Sequence, residues 1–294
     1  MPELPEVETI KRGLNGLIIG ETIKGISADN PKSFPNSPTD VSGFMIGAKV
    51  INVRRRAKML LIDLDSGYSL LVHLKMTGQL VFDNRSIHFG AGHPSSSLNG
   101  QLPDKSTRVN IVFADGGHLY FNDQRKFGWM RLIPTLEVGD MELFKKLGPE
   151  PLEPTFNWQE LKSRLQQRSK TAIKPALMDQ TVVAGIGNIY ADESLWGARI
   201  HPATQVAGLT DTNYRDLFQS IREILNLSLD KGGSTDRNYV DAEGKRGSYL
   251  DFARVFRREG QSCPRCHQAI IKTRLAGRGT HYCPHCQKLP SADL

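Results

Sequence analysis

The chain has 294 residues, 38 Lys and Arg against 31 Asp and Glu, a formal net charge of +7 and 39% hydrophobic residues. This is enough apolar material for two cores, and the length favours two domains plus a small module over one. No apolar run is long enough to cross a membrane, and the first residues lack the basic region and apolar block of a secretory leader.

The N-terminus predicts a short extended start and then a helix. Pro5 suits the first turn, Glu6 and Glu8 suit its positive end, and Val7, Ile10 and Leu14 share a face. Met1-Pro2-Glu3 carries a second possibility. A small residue after Met permits its removal, which would leave Pro2 with a free secondary amine. An α-amino group titrates near pH 8, so a useful fraction is nucleophilic at neutral pH. Such an amine attacking a sugar anomeric carbon gives an iminium ion, an electron sink, and the adjacent Glu3 can move protons. Met-Pro is also a common beginning, and taken alone an ordinary N-terminus is the simpler reading.

From about residue 20 to 135 the pattern has period two. Met59 to Leu64, Asp65-Ser66-Gly67 and Tyr68 to Leu74 form a hairpin with visible turn chemistry, and Val109 to Phe113 followed by His118 to Phe121 repeats the plan. Repeated pairs predict a β-sandwich or flattened barrel. Arg54-Arg55-Arg56-Ala57-Lys58 borders a strand, where part of the charge can be a solvated edge. Asp83 to Ser106, rich in Gly, Ser, Pro and Asn, predicts a long surface excursion without regular structure. In Asn122 to Gly128, Arg125 and Phe127 stand two apart and point alike if extended. They could enter the space left by an extruded base, although without further context a plain strand end is the favoured reading.

Leu147 to Pro154 is a Pro-rich connection, and beyond it the period becomes helical over 158–168, 172–178, 189–196 and 214–229. Gly185-Ile186-Gly187-Asn188 before one of these helices can present backbone N–H groups to an anion, with Lys170 and Lys174 nearby. The third glycine of a dinucleotide fingerprint is missing, so a phosphate contact is the reading there. The chain closes with all four of its cysteines, Cys263-Pro-Arg-Cys266 and Cys283-Pro-His-Cys286. Disulfides are the alternative, but the doubled spacing and the lack of a secretory leader suit a tetrahedral, structural zinc shell with no open position better, and reduced, metal-bound cysteines predict a cytosol-like compartment. From Arg254 to Lys288 eight basic residues stand against Glu259 alone, a surplus of +7 equal to that of the whole chain. Arginine-rich charge on a metal-stapled module suits a phosphate backbone.

These pieces, Pro2 to Glu8, Arg56-Ala57-Lys58, His73 to Gly78, Arg125 to Gly128, Thr171 to Pro175, Gly185 to Tyr190 and the four cysteines, occur together and in order over nearly the whole chain. The sequence resembles bacterial formamidopyrimidine-DNA glycosylases. The resemblance implies an α+β multidomain fold: an N-terminal β-sandwich over residues 2–135, a linker over 136–152, a helical helix-two-turn-helix domain over 153–252 and a C-terminal β-hairpin zinc finger over 253–290. It implies excision of oxidised purines from damaged double-stranded DNA, with Pro2 as nucleophile and Glu3 as acid and base. Lys58 would assist the first strand cleavage and Arg278 the second. Asn188 and Lys174 would contact phosphate, Met76, Arg125 and Phe127 would fill the gap in the duplex, and Glu6 and the Gly232–Tyr249 loop would lie near the extruded base. An enzyme that works on a glycosidic bond must take the nucleotide out of the stack, and inserted side chains offset the lost stacking. One structural zinc, no small-molecule cofactor, no membrane, a monomer and a cytoplasmic location are expected.

Two positions depart from the family pattern. Lys105-Ser106 stands where the family has Lys-His, which makes Arg108 a candidate substitute contact, and Arg168-Ser169-Lys170 replaces a run of lysines. The rival readings are an endonuclease VIII-like enzyme for oxidised pyrimidines, against which Leu4 speaks, and a DNA-binding homologue without catalysis. A zinc ribbon for RNA or protein contact explains only the final forty or so residues.

Overall fold

The computed structural model describes residues 1–84, 86–93, 95–233 and 249–289, so that most of the Gly232–Tyr249 loop lies outside the described residues. The chain divides into two compact units, Met1–Lys145 with Leu229–Ser248, and Lys146–Ser228 with Tyr249–Leu294.

The first unit opens with helix α1 (Leu4–Ile18) and continues through β1 (Ile23–Ala28), α2 (Pro38–Phe44), β2 (Val50–Arg56), β3 (Met59–Leu64), β4 (Tyr68–His73), β5 (Gly78–Asp83), β6 (His88–Gly92), β7 (Thr107–Phe113), β8 (His118–Asp123), β9 (Trp129–Pro134) and α3 (Glu142–Lys145). The strands form a five-stranded sheet in the order β1-β7-β8-β5-β6 and a four-stranded sheet in the order β2-β3-β4-β9. Alternation decides the facing. Leu60, Ile62, Leu70 and Val72 from one sheet and Leu80, Phe82, Ile111 and Phe121 from the other meet in a single core, which α1 joins through Val7, Ile10 and Leu14.

The 83–106 excursion differs from its expectation. It contributes β6, paired to β5 from Gln79↔Gly92 to Asp83↔His88, and a short 3-10 turn over Ser96–Leu98. Phe89 and Ala91 enter the main core, and Leu98 packs with Val81 and Tyr120 on the other face of the sheet. The Phe89 ring rests against α1 at Gly13, where a Cβ would collide with it. The segment is therefore a prop under the helix that begins at the N-terminus.

The second unit holds α4 (Trp158–Gln166), α5 (Ile173–Leu177), α6 (Asn188–Gly197), α7 (Asp211–Asp230), α8 (Tyr249–Phe252) and the hairpin β10 (Ile271–Leu275)–β11 (Arg278–Tyr282). Asn157 caps α4 by accepting from the Glu160 N–H. Helix α6 is buried from Tyr190 to Trp196, as befits the central helix of a bundle, and α7 turns Tyr214, Leu217, Ile221 and Leu225 toward the same core. Ala276 and Gly277, both at positive φ, make the two-residue turn that returns β10 to β11.

Candidate functional site

In the first unit, Glu3 is the N-cap of α1. Its side chain accepts from the Glu6 N–H, and Glu6 Oε2 accepts from the Glu3 N–H at 2.8 Å, a reciprocal capping box. Pro2 is buried beside it and Glu3 is only 3% exposed. Glu6 is therefore a holder of Glu3, and Gly233 lies against its side chain. That contact brings Glu6 to the edge of the segment expected near the base.

Lys58 sits with Ala57, at positive φ, in the turn between β2 and β3, and is buried. Its placement relative to α1 comes from a residue that the sequence assigned only to the positive end of that helix. Glu8, one turn into α1, accepts from Arg55 Nε at 3.0 Å through one oxygen and from Lys11 Nζ at 3.0 Å through the other. Arg55 in turn donates to the Ala57 carbonyl at 2.9 Å. Burial opposes the Glu8 carboxylate, but the bonds from Lys11 and Arg55 outweigh it and hold its pKa below the usual range. The Arg-rich strand thus clips the Lys58 turn to the helix that follows Pro2 and Glu3.

Met76, Arg125 and Phe127 come from two turns joined by one carboxylate. Asp123, fully buried, accepts from the Phe127 and Gly128 N–H groups at 2.8 and 2.7 Å through Oδ2. Its Oδ1 accepts from the Arg125 N–H at 3.1 Å and from the Thr77 hydroxyl. Gly128 must be glycine, since a Cβ there would meet the Phe121 ring at 2.7 Å. Phe127 is left 53% exposed, with the Arg125 guanidinium carbon 4.7 Å from its ring centroid. Asp123 is the residue most easily missed, because a carboxylate in a turn looks solvated. Arg108, the candidate substitute for the missing histidine, faces inward. It is 4% exposed, donates to the Asp123 and Lys105 carbonyls and pairs with Asp29, so it supports the Asp123 turn from inside. Nearby, burial drives His73 down to about 3, helped by the charges of Lys75 and Lys58, and its Nδ1 accepts from the Lys75 N–H.

In the second unit, Gly185 takes positive φ and Gly187 caps α6, so that Asn188 opens the helix. Asn188 Nδ2 donates to the Gly279 carbonyl at 3.0 Å. Lys174 Nζ donates to that same carbonyl at 2.8 Å and to Thr280 Oγ1 at 2.9 Å, and pairs with Asp192 Oδ1 at 2.7 Å. With 1% exposure, Lys174 departs from the expected surface phosphate contact: its ammonium is a strut beneath the strand that begins with exposed Arg278. Asp192 also receives the His281 N–H at 2.9 Å. Next to it, Glu193 accepts from the Tyr249 hydroxyl and from the N–H groups of Arg254, Val255 and Phe256, while its burial raises its pKa. Neither acid gave a sequence signal, since both sit in a helix whose partners lie some 60 to 90 residues away.

The four cysteine sulfurs all lie within 4.8 Å of one another, with Cys263–Cys286 at 4.0 Å and Cys266–Cys283 at 3.4 Å. Four thiolates bound to zinc at about 2.3 Å stand roughly 3.8 Å apart at the corners of a tetrahedron. The residues fit one structural zinc, whose role is to hold the hairpin.

Three family models match in sequence order. They are the formamidopyrimidine-DNA glycosylase N-terminal domain over residues 1–130, the H2TH domain of that glycosylase over 147–239, and the zinc finger found in FPG and IleRS over 260–289. The formamidopyrimidine-DNA glycosylase of Pelotomaculum thermopropionicum is 41% identical over 98% of this chain and 100% of that protein, and that of Streptococcus pyogenes serotype M3 is 41% identical over 98% and 99%. Among solved structures, a Lactococcus lactis FPG mutant in complex with a Fapy-dG containing DNA gives a TM-score of 0.86 at 35% identity, covering 98% of this chain and 100% of that one. The Lactococcus lactis Fpg with an abasic site containing DNA gives 0.86 at 35%, covering 97% and 99%. With its sandwich, helical unit and four-cysteine hairpin matched end to end, the chain belongs to the formamidopyrimidine-DNA glycosylase family.

Proposed function

We propose that this DNA glycosylase of base-excision repair removes oxidised purines, 8-oxoguanine and formamidopyrimidines, from duplex DNA and then cleaves the strand itself. Once Met1 is removed, the Pro2 nitrogen attacks C1′ of the extruded nucleotide and the base departs with a proton. Glu3 moves protons at the deoxyribose as the ring opens to the iminium. Loss of a C2′ proton expels the 3′ phosphate, a second elimination expels the 5′ phosphate, and water releases Pro2. Lys58 balances charge on the first departing phosphate and Arg278 on the second. Met76, Arg125 and Phe127 occupy the gap, Asn188 holds backbone phosphate, and Glu6 keeps Glu3 in place beside the base. Lys174 acts through the strand it supports. The zinc finger over 253–290, the catalytic part over 2–135 and the helical part over 153–252 divide the work. The enzyme acts as a cytoplasmic monomer without a small-molecule cofactor.

The observation that carries this reading is the clip through Glu8 and Arg55, which ties the Lys58 turn to the helix that Pro2 and Glu3 lead into. Borohydride trapping on a duplex with one 8-oxoguanine opposite cytosine, followed by peptide mapping, tests it. A crosslink at Pro2 is expected. A crosslink formed only on oxidised-pyrimidine duplexes would favour the endonuclease VIII-like activity, and none on any lesion or abasic site would leave a DNA-binding protein without catalysis.

A further inference from the structure

Trp196 stands near the end of α6, 4% exposed, packed with Cys263, Cys283, Val255 and Ile270. Arg265 lies over its ring at 4.0 Å from the centroid and Arg254 at 5.4 Å. Arg265 also donates to the carbonyls of Trp196 and Gly197 at 3.0 and 3.3 Å, closing the last turn of α6. The indole has a single polar atom, and a buried N–H without an acceptor costs about 1–3 kcal/mol. Trp196 Nε1 is buried, and among the described residues no acceptor meets ordinary hydrogen-bond geometry. Of the sulfurs packed in that cluster, that of Cys263 is the one the indole N–H neighbours. A metal-bound thiolate is a far better acceptor than a thiol, so metal binding supplies the partner that Nε1 lacks.

We propose that Trp196 is a positioning residue of the metal centre, its indole N–H donating to the zinc-bound thiolate of Cys263 and so tying the metal to helix α6. The alternative role for a buried tryptophan is packing alone, and two variants of the full chain separate the two. Trp196→Phe keeps an aromatic ring and removes the donor. Val255→Ala opens a gap in the same cluster and keeps the donor.

Cobalt replaces zinc in each protein, and the sulfur-to-cobalt charge-transfer band is recorded, because a thiolate that loses an N–H partner becomes easier to oxidise. The band is expected to move to lower energy in Trp196→Phe and to stay in place in Val255→Ala. Zinc affinity against a chelating dye should fall between about 10- and 100-fold in Trp196→Phe, the usual effect of losing an outer partner of a metal ligand. An unmoved band in Trp196→Phe, or an equal movement in both variants, overturns the proposal. Should Trp196→Phe fail to fold, benzothienylalanine at position 196 has the shape of tryptophan without the N–H, and the same two outcomes decide.

Discussion

Replacing Lys174 with methionine separates a strut from a DNA contact. Met keeps most of the stem and removes the ammonium, which in this structure pairs with buried Asp192 at 2.7 Å and donates to Gly279 and Thr280 at 2.8 and 2.9 Å. Breaking one side of a buried pair costs about 3–5 kcal/mol, mostly because the other charge is left alone. For a protein of this size the unfolding midpoint should fall by on the order of 10 °C. Asp192→Asn in the same background should recover much of the loss, since it removes the stranded charge. Salt dependence of binding to an abasic-site duplex supplies the second readout. Each phosphate neutralised contributes about 0.9 to the slope of log K against log salt. Lys174→Met should leave that slope unchanged, whereas Arg278→Ala should lower it by about 0.9. A stable Lys174→Met protein whose slope drops by about 0.9 would refute the strut and return the ammonium to DNA.

Gly13→Ala should destabilise the first unit by about 1–3 kcal/mol through the collision with Phe89, partly offset by better helix propensity, and Phe89→Leu in addition should relieve it; denaturant unfolding of the three proteins checks this. His73, held near 3, stays neutral while the unfolded chain takes up a proton below about 6.5, so its contribution to stability is complete above that pH and is lost as pH falls toward 3. Between pH 7.5 and 5 the wild type should lose about 2 kcal/mol more than His73→Gln, and equal losses would remove His73 from the account. Cys266→Ser should lose zinc and DNA affinity together, with the salt slope lowered by about 0.9 for each phosphate the finger releases; binding that survives zinc loss would make the finger dispensable.

The sandwich was legible wherever apolar residues alternate and a Gly-containing turn intervenes, as at Met59 to Leu74, and the helical unit wherever the period changed after the Pro-rich connection. Cysteine spacing announced the metal site outright. Strand β6 was not legible, because His88-Phe-Gly-Ala-Gly92 has no β-branched residue and owes its pairing to the neighbouring strand and to Gly13 on α1. Supporting residues were hidden for a related reason. Asp123, Glu193 and Asp192 look like ordinary surface acids until folding brings their donors in, and Lys174 looks like a surface cation until Asp192 and Gly279 surround it. The side chains proposed to meet DNA carry motifs, whereas those that hold them in place depend on contacts distant in sequence.

The metal centre changes the charge ledger of the finger itself. A formal +7 treats the cysteines as neutral, yet four thiolates around one dication leave two negative charges inside the module that carries the basic surplus. The loaded finger therefore presents about +5 to its surroundings, with the anion placed at the carbonyl end of α6, where helix polarity disfavours it. Arg254 and Arg265, on the Trp196 ring, are cations packed at that end of α6. Neutralising either should loosen the metal before it weakens DNA binding, although both belong to the arginine-rich run that first suggested a phosphate partner.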